Sequence, residues 1–137
     1  MHNFGKCERM VNWSCIVLKQ KQSKITFINE SQNDVRVIEI DDCVITNGLR
    51  CDYLVISNLE IEHFVELKGS DVNHAVKQLA RTILQVSINP NKGVKYCFII
   101  SSRCPLLTAK IQNLKLMFKK KYNSILIIKN NKYEHQI

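Results

Sequence analysis

Residues 52–68 read Asp52-Tyr53-Leu54-Val55-Ile56-Ser57-Asn58-Leu59-Glu60-Ile61-Glu62-His63-Phe64-Val65-Glu66-Leu67-Lys68. Two apolar runs, each closed or opened by charge, flank the short polar connection Ser57 to Glu60. That length and composition predict a hairpin of two antiparallel strands. Antiparallel pairing returns the end of the second strand to the start of the first. Asp52 and Glu66 are therefore expected to be neighbours although 14 positions separate them in sequence. Side chains alternate across a strand, so Glu66 and Lys68 share one face and Leu67 takes the other. Two carboxylates and an ammonium then meet at one end of the hairpin.

Those residue types suit phosphate chemistry assisted by a metal. Mg2+ takes oxygen ligands, often one or two carboxylates, and keeps waters for itself or for substrate phosphates. Asp52 and Glu66 are the expected metal ligands, with the backbone carbonyl of Leu67 between them as a further one. Lys68 would orient an attacking water or meet charge on the phosphoryl oxygens.

At these residues the chain resembles the PD-(D/E)XK nuclease superfamily. The pattern is Asp at the start of one strand, a spacer, then Glu or Asp, any residue and Lys on the next strand, followed by a helix. Here it runs Cys51-Asp52-Tyr53, the spacer, Glu66-Leu67-Lys68, then Gly69-Ser70 and a helical pattern. Cys51 stands where family members often carry proline. The resemblance implies a restriction-endonuclease-like fold and metal-dependent hydrolysis of phosphodiester bonds, DNA foremost, in restriction, repair, junction resolution or defence. It also implies a polar residue, often Gln, on the following helix, which Gln78 matches, and an acid nearer the N-terminus. Glu8 is the acid of the N-terminal segment, with Glu39, Asp41 and Asp42 in competition. The implied catalytic set is Asp52, Glu66, Lys68 and Gln78. The implied cofactor is Mg2+ or Mn2+, since both accept carboxylate and water ligands. Two other readings stay open: a non-catalytic nucleic-acid-binding or interaction module of the same fold, and a nuclease acting on RNA.

Around the motif, the pattern predicts an α/β domain spanning residues 1–137. Residues 6 to 18 fit neither a helical nor a strand period cleanly. Lys24 to Asn29 and Val35 to Ile40 alternate as strands, and the polar residues 30–34 between them predict a hairpin. Asn47-Gly48 marks a tight turn before Asp52. The expectation is an antiparallel meander of up to four strands. After Lys68 the period becomes helical, through Val72, Ala75, Val76, Leu79, Ala80 and Ile83, with Ser70 as N-cap and Asn89-Pro90 as the stop. His74, Gln78, Arg81 and Gln85 form a polar stripe, on which His74 is expected at the surface or against substrate. Val94 to Ile100 predicts a buried strand parallel to the one carrying Glu66, reached by the helix crossover. Ser101-Ser102-Arg103 ends it, where open sheets often bind ligands. Pro105 to Lys121 reads as a second helix and Ser124 to Ile128 as a last strand. The polar end, from Lys129 to Ile137, is expected to be loose.

The chain has 137 residues, 45% of them hydrophobic, enough for one core and too few for two. Twenty Lys and Arg against 12 Asp and Glu give a net charge of +8, which favours a polyanionic partner. Lys110, Lys115, Lys119, Lys120 and Lys121, with Arg103, are the expected nucleic-acid contacts. No apolar run has membrane-spanning length and no signal-like segment follows a basic start, so no membrane partner and a soluble, cytoplasmic protein are expected. Cys7, Cys15, Cys43, Cys51, Cys97 and Cys104 lack metal-ligand spacing and are expected mostly as reduced thiols, a zinc site of Cys43, Cys51 and a distant His being the lesser alternative. No separate recognition module is visible. Cutting both strands of a duplex would then take a homodimer, two successive cuts or a targeting partner.

Overall fold

The structure is a computed structural model that describes residues 3–67, 71–103 and 107–137. Its centre is the expected hairpin, β5 (Tyr53–Ile56) and β6 (Glu62–Leu67), paired antiparallel with Tyr53 opposite Val65 and Leu54 opposite Phe64. The connection closes through Glu60 N donating to Ser57 O, Ser57 N to Ile61 O and Ile61 N to Ser57 Oγ, with Glu60 at φ 61°. β4 (Val35–Glu39) pairs antiparallel with β5, and β1 (Glu8–Val11) pairs antiparallel with β4 on the outside. On the other side α1 (Val72–Val86) leads to β7 (Lys95–Ser101), parallel to β6, and α2 (Thr108–Tyr122) leads to β8 (Ser124–Asn130), parallel to β7. The result is a mixed six-stranded sheet in the order β1-β4-β5-β6-β7-β8. One face carries the two helices.

The other face is covered by a second sheet, β2 (Cys15–Gln20), β3 (Ser23–Ile28) and β9 (Lys132–Gln136), in the order β2-β3-β9. Two cores follow. One joins Leu54, Phe64 and Ile99 to Val72, Ala75, Val76, Leu79 and Ile83 of α1 and to Phe118 and Tyr122 of α2. The other joins Val55, Val65, Leu67, Phe98 and Ile100 to Ile16, Leu18, Ile25 and Phe27 of the small sheet. Strand β6 lies between both layers, which is why every one of its residues is buried.

Four expectations need correction. The ambiguous N-terminal segment is a 3-10 turn (Gly5–Cys7) followed by two strands that belong to different sheets, so no single period could fit it. The expected β3–β4 hairpin does not form, because β3 pairs instead with β2 across the shorter turn at Lys21 and Gln22, with Lys21 at φ 54°. The C-terminal end is an ordered strand whose Tyr133 and His135 turn inward while Lys132, Glu134 and Gln136 face out, and which pairs parallel with β3. Finally, Cys7 and Cys43 form a disulfide, so this pair is neither reduced nor available to a zinc site with Cys51. The pairing of β1 with β4 brings them together: Cys7 immediately precedes β1, and Cys43 lies in the turn that follows β4.

At the first helix, Asp71 rather than Ser70 caps α1, its Oδ1 accepting from His74 N at 2.9 Å. Ser70, and the expected helix start at Pro105, lie outside the described residues. Among the described residues no helix is long and apolar enough to cross a membrane.

Candidate active site

The β5–β6 ladder ends at Tyr53 opposite Val65, and the chain just before it departs from regular pairing. Asp52 N donates to Val65 O at 3.0 Å and Leu67 N donates to Asp52 Oδ2 at 2.7 Å, so Asp52 lies beside the Val65–Leu67 stretch that carries Glu66. Alternation along β6 places Glu66 on the face of Phe64, beneath α1. Asp52 is 8% exposed and Glu66 fully buried.

Helix α1 clamps the approach to Asp52. Gln78 Nε2 donates to Arg50 O at 2.9 Å and Cys51 N donates to Thr82 Oγ1 at 2.8 Å. Thr82 Oγ1 in turn donates to Gln78 O, one helical turn back. Gln78 is therefore a buried residue that holds the chain leading into the site, not a member of a solvated stripe. Cys51 packs against the pair, and its thiol is pushed well up, above all by burial and further by the Glu66 and Asp52 carboxylates.

Two hollows share Asp41, and the first of them includes Asp52. The first, of about 180 Å³, is lined by Gln20, Glu39, Asp41, Asp52 and Tyr53. The second, of about 260 Å³, is lined by Asp41, Gly48, Leu49, Arg50, His74 and Gln78. Gly48, at φ 82°, makes the expected turn. Arg50 Nε donates to Asp41 Oδ1 at 2.7 Å and its Nη1 to Gly48 O at 3.0 Å, which sets a guanidinium two residues before Asp52. His74 is exposed, as expected.

Other site candidates fall elsewhere. Glu8 is held by Arg36, at 2.6 Å from Nε and 2.8 Å from Nη2, and the hydrogen bond to Arg36 lowers its pKa. Arg36 stands opposite Ile56, at the end of β5 away from Asp52. Glu39 and Asp41, unlike Glu8, border the hollow that contains Asp52, while Asp42 is exposed on the neighbouring turn. Lys68 lies outside the described residues. Among the described residues no three His, Cys, Asp or Glu side chains gather as a metal-binding group.

The expected nucleic-acid contacts divide between the two ends of the sheet. Arg103 is exposed just after β7, at the Glu66 end. Helix α2 then runs back, so that its last residue, Tyr122, accepts from Lys95 Nζ at the start of β7. Lys119, Lys120 and Lys121 are thus at the far end, and Lys110 is nearer the carboxylates. Lys115 and Lys119, four residues apart, share a helix face, whereas the other lysines point around the exposed side. Arg50 and Thr82 were not singled out from the sequence as site residues. For Arg50 the available signal was a cation two positions before the acid; for Thr82 it was a hydroxyl one turn after Gln78.

No protein-family model, curated protein or solved structure matches the chain.

Proposed function

We propose that the chain is a divalent-metal-dependent endonuclease of the restriction-endonuclease-like, PD-(D/E)XK type, with DNA as the favoured substrate. The observation that carries this reading is the bond from Leu67 N to Asp52 Oδ2, which ties Asp52 to the end of the strand that carries the buried Glu66. Adjacent buried carboxylates repel one another, an arrangement that favours a cation between them. Two carboxylates and a backbone carbonyl on one side fit the oxygen preference of Mg2+ or Mn2+. Asp52, Glu66 and the Leu67 carbonyl would hold such an ion. When bound, it supplies Lewis acidity at a phosphoryl oxygen and a more acidic water.

The chain's own groups do the rest. Gln78 and Thr82 hold the Arg50–Cys51 segment and so fix where Asp52 stands. Lys68 directs the attacking water or meets charge on the phosphoryl oxygens. Arg50, Arg103 and Lys110 offer cations to the phosphate backbone near the carboxylates, and Lys115, Lys119, Lys120 and Lys121 extend the positive surface away from them. Cleavage of both strands of a duplex would use a homodimer, two successive cuts or a targeting partner.

One observation favours a second reading. Glu8 is committed to Arg36 and is not available as the N-terminal acid of the site, which suits a nucleic-acid-binding module without catalysis. A cleavage assay on plasmid, and on matched DNA and RNA oligonucleotides, in Mg2+ or Mn2+ separates these. The expected result is cleavage by wild type that is lost in Asp52→Ala, Glu66→Ala and Lys68→Ala with binding retained. Binding without cleavage by wild type selects the module, and preference for the RNA strand selects an RNA nuclease.

A further inference from the structure

Four buried hydroxyl groups in this protein make identifiable hydrogen bonds. Ser57 Oγ accepts from Ile61 N, Thr82 Oγ1 donates to Gln78 O, Ser87 Oγ donates to Glu62 Oε1 and Ser124 Oγ donates to Cys97 Sγ. Ser101 differs. It is fully buried, and its Oγ has no hydrogen-bond partner among the described residues. Buried polar atoms are almost always satisfied, so such an exception leaves the hydroxyl open to a partner beyond the described residues.

The position of Ser101 indicates what that partner is. In the parallel β6–β7 ladder Glu66 lies opposite Ile99 and Leu67 opposite Ile100. Ser101 is the next residue of β7, and alternation puts its side chain on the face of Ile99 and Glu66. It is therefore the diagonal neighbour of Glu66, toward the end of the sheet where Asp52 stands. A second buried atom without a partner, Gln78 Oε1, belongs to the helix covering the same face. Because Gln78 Nε2 is fixed on Arg50 O, the oxygen is the end of the amide left over, and it can only accept. A serine hydroxyl can also accept. Water bound to a cation turns its hydrogens away from the ion, so its partners must be acceptors.

We propose that Ser101 is a positioning residue of the Asp52–Glu66 site, its hydroxyl accepting a hydrogen bond from a water on the bound divalent cation, with Gln78 Oε1 as the companion acceptor. The inference rests on the metal-site reading above. It assigns Ser101 no contact with the reacting phosphate.

The test measures Mn2+ binding by calorimetry and by electron paramagnetic resonance, together with metal-free thermal unfolding, for wild type, Ser101→Ala, Ser101→Thr and Asp52→Asn. Outer hydrogen-bond partners of a metal site typically carry about tenfold in affinity, and Ser101→Ala is expected to weaken Mn2+ binding by roughly that factor and to alter the resonance signal. Ser101→Thr, which keeps the hydroxyl, is expected to restore most of the affinity. Metal-free Ser101→Ala should melt at or above the wild-type temperature, because it removes a buried polar atom that lacks a partner. Unchanged Mn2+ affinity in Ser101→Ala, with binding still lost in Asp52→Asn, overturns the inference and leaves the metal site standing. A clear drop in metal-free melting temperature overturns it too, by showing that the hydroxyl serves the fold. Absence of Mn2+ binding by wild type overturns both readings.

Discussion

Strand β6 carries two buried glutamates on one face, four residues apart, and the charged neighbours named for them differ in sign. Glu62, at the start of the strand, accepts from Ser87 Oγ at 2.6 Å and from Ile88 N at 3.1 Å. Lys95 lies opposite it on β7, fully buried, with its Nζ on the carbonyls of Gly93 and Tyr122. Burial lowers the Lys95 pKa and Glu62 raises it. At this end, the protein answers a charge with donors and a cation of its own. Glu66, at the other end, is on the strand whose Leu67 N donates to a second carboxylate, Asp52. A neighbour of like sign disfavours the charged form of a carboxylate, whereas a neighbouring cation favours it. The contrast teaches that burial alone does not mark a functional acid. Its company does.

The largest expected effect separates the two ends through activity. Alanine at Asp52 or Glu66 should reduce metal-dependent cleavage by about a thousandfold, or ~4 kcal/mol of transition-state stabilisation, in a single-turnover assay. Added Mg2+ should also raise the melting temperature of wild type but not of either variant, because only a competent site couples the ion to folding. Equal stabilisation of Glu66→Ala would remove Glu66 from the site.

The next effect concerns the restraint at the Asp52 end. The Cys7–Cys43 disulfide closes a loop with a sequence separation of 36 and holds the turn after β4, where Ile40 N and Asp41 N both donate to Asp52 O. Reduction, or Cys7→Ser with Cys43→Ser, should cost about 4 kcal/mol of stability in urea unfolding. Disulfides persist in oxidising compartments and are usually opened in the cytosol, so the reduced protein is the form to compare if the chain resides there. An unchanged unfolding midpoint would show that the pair does not restrain the fold.

His63, between the two glutamates but on the opposite face of β6, gives a pH test. Its Nδ1 is 3.0 Å from Val55 O, and burial lowers its pKa to about 4. The unfolded chain, with an ordinary histidine near 6.5, takes up a proton first as pH falls. The unfolded state therefore binds more protons between those values, and stability is complete above about pH 6.5 and lost downward toward pH 4. The loss should reach about 3 kcal/mol and should be absent in His63→Phe, as measured by urea unfolding at a series of pH values. A pH slope of the same size in that variant would assign the loss to other groups.

Smaller effects belong to the far end. Glu62→Ala should cost about 2 kcal/mol by leaving the Ser87 hydroxyl and the Ile88 N–H without their acceptor, while cleavage per folded molecule is retained. Replacing Lys119, Lys120 and Lys121 together should weaken oligonucleotide binding and flatten its salt dependence, with less effect on cleavage than Arg50→Ala or Arg103→Ala. A larger loss of cleavage from the lysines would place the substrate along α2.

Much of this arrangement was legible in the sequence, where local signals were strong. The hairpin of β5 and β6, the helical period after it and the apolar run of β7 each appear as expected. What the sequence concealed was the partition into two sheets. The strand patterns of β1, β2, β3 and β9 do not say which sheet they join, and the polar residues of β9 hide inward-facing Tyr133 and His135. The disulfide depended on the same long-range pairing, since Cys7 and Cys43 meet only when β1 lies beside β4. The helical pattern put Gln78 on a polar stripe, whereas it is buried with its Nε2 on Arg50 O, and it gave the lysines of α2 a face but not the end of the sheet at which each sits.

The most direct test of the central claim compares wild type, Glu62→Gln and Glu66→Gln in Mg2+-dependent cleavage of plasmid DNA at matched concentrations of folded protein. The account predicts cleavage by wild type and Glu62→Gln and silence from Glu66→Gln. Cleavage by Glu66→Gln at the wild-type rate would contradict it.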